Sequence, residues 1–155
     1  MYRKNRPDAI GMQFPEHALN LPHGESMRFI SHILDYSVTF LRCAICHPLP
    51  PGAGDSPQSS LWTVEMAAQA SGVFLNLKDE AGNSAAEGRL VQIRSMMLAG
   101  PQLPRDERLV VDAQLQSASS VGYNVFQCTV ATESIGDVLL EATLALLVRK
   151  GGVTR

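Results

Sequence analysis

The sequence predicts an α+β fold in which an antiparallel sheet wraps around one long central helix. Three observations carry that expectation. Residues 61–77 are almost wholly apolar and free of proline; two extended segments precede this run and four follow it. Nowhere do strand and helix alternate in the way that builds a parallel doubly wound sheet. The chain has 155 residues, 45% of them apolar, and a formal net charge of -2, the size and mix of one globular domain. Thirteen basic residues against fifteen acidic ones leave no basic footprint for a nucleic-acid backbone, so DNA and RNA are set aside as partners. No apolar run of signal-peptide length follows the basic N-terminal start, and no later segment approaches the ~20 residues of a membrane span, which predicts a cytoplasmic chain with no membrane span.

Residues 1–20 are polar and carry Pro7 and Pro15, so they read as a loose N-terminal arm or a short helix around Glu16 to Leu19. A single domain is expected over residues 21–150. Its first two strands are "MRFISHILDY" at 27–36 and the run at 38–47, with a turn at 35–37. The stretch "PLPPGAGDSPQSS" that follows is too rich in proline, glycine and serine for either regular structure. Then comes the helix, "LWTVEMAAQASGVFLNL", with Ser59 or Ser60 placed to cap it and a length of about 25 Å. Apolar side chains on all its sides mark an enclosed helix, and Ala67, Ala68, Ala70, Ser71 and Gly72 make it slim enough for close approach of a sheet. Strands are predicted at 89–99, 108–118, 123–132 and 138–149. The breaks between them read "GPQLPRDE", "SSVG" and "SIGD".

The segment "LRCAICHPLPPG" holds Cys-Ala-Ile-Cys-His, the spelling of a c-type haem attachment site and a possible pair of metal ligands. Its context is a strand rich in branched and aromatic residues, and on a strand Cys43 and Cys46 point to opposite faces. The third cysteine, Cys128, has no Cys or His beside it to complete a zinc site. Three cysteines are also too few, and odd in number, for a disulfide framework. Neither metal nor cofactor is expected.

Within the apolar helix stands one carboxylate, Glu65. An unpaired charge in low dielectric costs several kcal/mol, so a glutamate there needs a partner or a task. Helical spacing puts Trp62, Ala68, Gln69 and Gly72 on its face, which then offers a carboxyl, an amide and a ring beside an approachable backbone. Such a face suits a general acid or base that holds a substrate group, with Trp62 and Gln69 as candidate substrate contacts. The other reading is structural, with Glu65 paired to an arginine or capping backbone N–H groups.

"LPHGESMRFISHILDY", then "VEMAAQASGVF" on the helix, then "LPRDERLVVDAQL" resemble, in that order, the beta-hydroxyacyl-ACP dehydratases of the hotdog fold, most closely the ApeP-like branch associated with aryl polyene pathways. The resemblance spans residues 21–149. Its most specific parts are Leu21-Pro22-His23 with Met27 five residues after Pro22, and Glu65 with Ala67, Gln69 and Ala70. It implies a histidine that removes the alpha proton of a 3-hydroxyacyl thioester and an acid that helps the 3-hydroxyl leave, with Glu65 in the acid role. In the fatty-acid dehydratases that histidine lies in a Gly-His-Phe-Pro-Gly loop before the central helix. The equivalent register here falls near Pro51, where no histidine stands. His23 is therefore the first choice of base and His47 the second, while His17 and His32 are given no role. A structural hydrogen bond is the alternative task for His23, and a solvated loop end for His47.

The resemblance also implies an acyl carrier protein or coenzyme A thioester as partner and a homodimer or higher assembly. Three functions remain open at this level: a 3-hydroxyacyl thioester dehydratase of fatty acid or aryl polyene type biosynthesis, a hotdog acyl thioesterase, and a non-catalytic acyl-binding partner subunit.

Overall fold

The structure, a computed structural model, describes residues 21, 24–54, 57–78 and 87–149. The expected N-terminal arm and His23 lie outside the described residues. Six strands form one sheet: β1 (Ile30–Tyr36), β2 (Phe40–Ile45), β3 (Glu87–Leu98), β4 (Leu109–Ala118), β5 (Tyr123–Thr132) and β6 (Val138–Arg149). Their order across the sheet is β1-β2-β4-β5-β6-β3, and every neighbouring pair is antiparallel. The one long helix, α1 (Trp62–Lys78), packs on the inner face.

Alternation decides which side chains meet the helix. Along β2, Leu41, Cys43 and Ile45 are buried while their neighbours are half-buried; along β4, Leu109, Val111 and Ala113 behave the same way. These residues, with Phe126, Cys128 and Val130 of β5 and Leu140, Ala142 and Leu144 of β6, close over Met66, Ala67, Ala70, Val73 and Phe74 of α1. Phe74 sits edge-on to Phe126, ring centroids 5.6 Å apart. The small residues of the expected slim waist are where the sheet comes closest, as Ala67, Ala70 and Ser71 are all buried. Every residue from Trp62 to Leu77 is buried or half-buried, so α1 is largely enclosed, though one flank is only partly covered.

The four strands after the helix and α1 itself fall within two residues of their expected bounds. The first strand differs. Met27, expected to open it, lies in a short 3-10 turn (Glu25–Met27), and β1 begins only at Ile30. The reason is a competing set of partners: the Met27 carbonyl and the Phe29 N–H are both taken by the Gln69 side chain rather than by a neighbouring strand. The reversal into β2 also comes later than 35–37, closed by the Ser37 N–H donating to the Phe40 carbonyl at 2.8 Å.

Candidate active site

Both candidate capping serines act, each in its own way. The Ser59 hydroxyl accepts from the Leu61 N–H at 3.2 Å, which serves one of the unsatisfied donors at the helix start. Ser60 turns instead to the chain leaving β3, donating its hydroxyl to the Gly100 carbonyl, while its own N–H donates to the Pro101 carbonyl at 3.0 Å. The first turn of α1 is thereby fixed to the rim of the sheet.

One turn further in stands Glu65, half-buried. Its Oε1 accepts a hydrogen bond from Gln69 Nε2 at 3.0 Å, the partner that i to i+4 spacing predicts. Gln69 itself is 1% exposed. Its Oε1 accepts from the Phe29 N–H and its Nε2 also donates to the Met27 carbonyl, each at 2.8 Å. Both amide protons of Gln69 are thus spent on protein acceptors, which leaves only a carbonyl lone pair for any further partner. Trp62, one turn before Glu65, lays its ring against buried Phe29 at a centroid distance of 5.5 Å. Trp62, Glu65 and Gln69 therefore share one helix face, as expected, and that face is joined to the segment at 27–29.

A second short 3-10 turn (Pro51–Ala53) locks the other side of this segment. A Cβ on Gly52 would lie 2.3 Å from both the Ser26 carbonyl oxygen and the Met27 Sδ, so glycine is what lets the two turns touch. The loop at 48–54 is in this way anchored on Met27, and Met27 through Gln69 on Glu65. Sequence reasoning missed this clasp because Phe29 and Gln69 are 40 residues apart; the sole local signal was a glycine beside two prolines.

His47 is elsewhere. It is exposed and lines a cleft walled by Cys46, Leu49, Gln58, Arg105 and Glu107, and Glu65 is not on that wall.

The cysteines fall as strand geometry requires. Cys43 is one of the inward alternates of β2, and Cys46, beyond its end, directs its thiol to the Arg28 carbonyl at 3.6 Å. Burial, with a smaller contribution from Asp112, pushes the Cys43 thiol up to about 12; burial pushes Cys128 up to about 11 against a lowering hydrogen bond from Ser71. Cys46 is raised as well, mainly by burial and against the pull of Arg28. Raised thiols are poor nucleophiles and poor metal ligands. Among the described residues no three His, Cys, Asp or Glu side chains converge where they could hold a metal ion.

Residues 15–150 match the ApeP-like family, described as ApeP dehydratase. No curated protein matches the chain. Among solved structures, the chain is similar to the dehydratase heterocomplex ApeI:P from Xenorhabdus doucetiae, with a TM-score of 0.72 at 17% identity, covering 84% of this chain and 88% of that one. A hypothetical thioesterase with coenzyme A from Streptococcus pneumoniae TIGR4 gives a TM-score of 0.57 at 12% identity, covering 76% and 84%. The PaaI protein of E. coli, from an operon of phenylacetic acid degradation, gives 0.56 at 10%, covering 78% and 80%. These neighbours share the sheet-wrapped helix of the hotdog fold, and the family match spans the helix with its Glu65 and Gln69 together with all six strands: the chain belongs to the ApeP-like dehydratase family.

Proposed function

We propose that this protein dehydrates a 3-hydroxyacyl thioester carried by an acyl carrier protein or coenzyme A, with Glu65 as the acid. The carrying observation is the hydrogen bond from Gln69 to Glu65, which fixes a half-buried carboxyl on the central helix of a dehydratase family member. In the reaction a base takes the proton from C2, the freed electron pair becomes the C2=C3 double bond, and the C3–O bond breaks. Glu65 gives its proton to the departing hydroxyl, which leaves as water. His23 is the base of choice, because Pro22-His23 belongs to the motif shared with the family and directly precedes in sequence the segment tied to Glu65 through Gln69; His47 is second. Trp62 supplies an apolar wall for the acyl chain, and Gln69, with both its N–H groups committed, acts on the substrate mainly by holding Glu65.

The working unit is a homodimer or larger. Strand β3 has a neighbour on one side only, β6, and along it Leu90, Val91, Ile93, Met96 and Met97 are exposed. A second copy would cover this edge and bring a second loop at 48–54 to the assembly. The heterocomplex among the structural neighbours gives the partner-subunit reading its support, and the thioesterase neighbours support hydrolysis as the competing reaction. No helix of the described residues is long and apolar enough to cross a membrane, which agrees with a cytoplasmic site of action.

The test is incubation of the purified protein with 3-hydroxyacyl and saturated acyl thioesters, following enoyl product and free thiol. Enoyl product that disappears in Glu65→Gln is the expected result. Free thiol from both substrates would mean a thioesterase, and neither product would mean a binding subunit. Single His23→Ala and His47→Ala variants, assayed for hydration of an enoyl thioester, assign the base; each general acid or base contributes about 10²–10⁴ in rate.

A further inference from the structure

The cleft beside His47 has a volume of about 260 Å³ and is built from three loops: the end of β2, the approach to α1 and the connection between β3 and β4. Its lining includes three apolar side chains, Leu49, Leu103 and Leu109, the last two buried. Its polar rim is divided. Gln58 is engaged, its Nε2 donating to the Gly54 carbonyl at 2.7 Å, and so is Glu107, whose Oε2 accepts from the Ser134 hydroxyl at 2.9 Å. His47 and Arg105 are exposed, and neither has a hydrogen-bond or ion-pair partner among the described residues. A second guanidinium, that of Arg28, lies near enough for its charge to act on Cys46 in the cleft wall. Asp106 is exposed and not part of the wall.

Two nitrogen groups without partners among the described residues, in a cleft that also exposes leucine side chains, suit an anion that carries a less polar arm. A guanidinium takes phosphate oxygens in pairs, and an imidazole N–H adds a further donor. The loop at 48–54 belongs both to this cleft, through Pro48, Leu49 and Gly54, and to the clasp, through Gly52. We propose that the cleft binds the phosphate end of the pantetheine arm that presents the thioester, with Arg105 and His47 on the phosphate and Leu49, Leu103 and Leu109 under the arm. The proposal rests on the reading of the protein as one that handles thioesters. It makes His47 a binding residue.

Calorimetric titration with coenzyme A and with pantetheine, which lacks the phosphates, tests it on the parent protein and on Arg105→Ala, His47→Ala and the double variant. The parent should bind coenzyme A at least about tenfold more tightly than pantetheine, and Arg105→Ala should remove most of that difference. Pantetheine binding should stay the same in all of them. A phosphopantetheinylated carrier protein and its unmodified form give the second arm. A phosphate-dependent gain confined to the carrier protein identifies that source, a gain with free coenzyme A identifies the other, and either supports the cleft. Binding of both coenzyme A and the modified carrier that is unchanged in the double variant overturns it. Melting curves guard against misfolding, which is not expected for two exposed side chains. Glu65→Gln should keep the phosphate-dependent binding while it loses turnover; a parent protein that shows this binding but forms no enoyl product would sink the dehydratase reading alone.

Discussion

At the scale of single residues, the proposed acid Glu65 and its partner Gln69 are where a role in catalysis can be told apart from one in stability. A carboxyl in a half-buried site carries a desolvation cost, and Gln keeps its volume and its capacity to accept from Gln69 while removing the charge. Glu65→Gln should therefore melt no lower than the parent and lose at least about a hundredfold in rate. A sharp fall in Tm would make Glu65 a structural ion-pair partner instead. Gly52 makes the opposite prediction. Adding a Cβ places it 2.3 Å from the Ser26 carbonyl oxygen, a backbone atom, so Gly52→Ala should cost about 1–3 kcal/mol in thermal or denaturant unfolding. Truncating Met27 in the same chain relieves only the Sδ contact, so the double variant Gly52→Ala with Met27→Ala should not recover parental stability. Recovery would show that the flexible thioether, not the backbone, sets the fit.

At the scale of elements, legibility followed the range of the forces involved. The helix and the last four strands were readable because local periodicity and turn residues mark them, and the shared face of Glu65 and Gln69 was readable from i to i+4 spacing, though not the hydrogen bond between them. What escaped depends on long-range partners. The late start of β1 depends on a side chain 40 residues away, and the Arg42 to Asp112 bridge across β2 and β4, with contacts of 2.6 Å, depends on strand register. The cleft beside His47 is assembled from loops distant in sequence, and His23 lies outside the described residues. The buried strand cysteines yield a prediction of their own. Burial pushes the folded Cys43 thiol up to about 12 from its ordinary 9.0, so well below pH 9 both folded and unfolded chains are protonated there and the full stability is present. As pH rises from 9 toward 12 the unfolded thiol ionises first, and stability falls by about 1.4 kcal/mol per pH unit from this group. Urea unfolding of Cys43→Ala against the parent between pH 8 and 10.5 should show the weaker pH dependence in the variant. Parallel curves would mean the thiol is not held protonated by the core.

For the whole molecule, the proposed homodimer rests on the edge of β3 that no other described strand covers. The inner face of this strand continues the apolar surface of β6, Ile93 lying opposite Leu144 and Met96 opposite Ala142, but Ile93 and Met96 are each 44% exposed where their neighbours are buried. An edge with apolar side chains and unpaired backbone groups is a site for strand addition. A second copy across a two-fold axis would pair the edges and complete the cover over the exposed flank of the sheet. Arg89 and Arg94 set the limit on that pairing, since a register that places them opposite each other brings like charges together. Light scattering at micromolar concentration should give twice the chain mass. Ile93→Lys places a charge on the inner face of the edge strand, where it costs a lone chain little and an apolar interface much. The variant should shift to monomer with its far-UV spectrum preserved, and its enoyl hydration should fall with dimer content if the site needs both chains. A parent that is monomeric alone and pairs only with a second hotdog chain would move the function to the partner-subunit reading, and a dimer untouched by Ile93→Lys would place the interface on another surface.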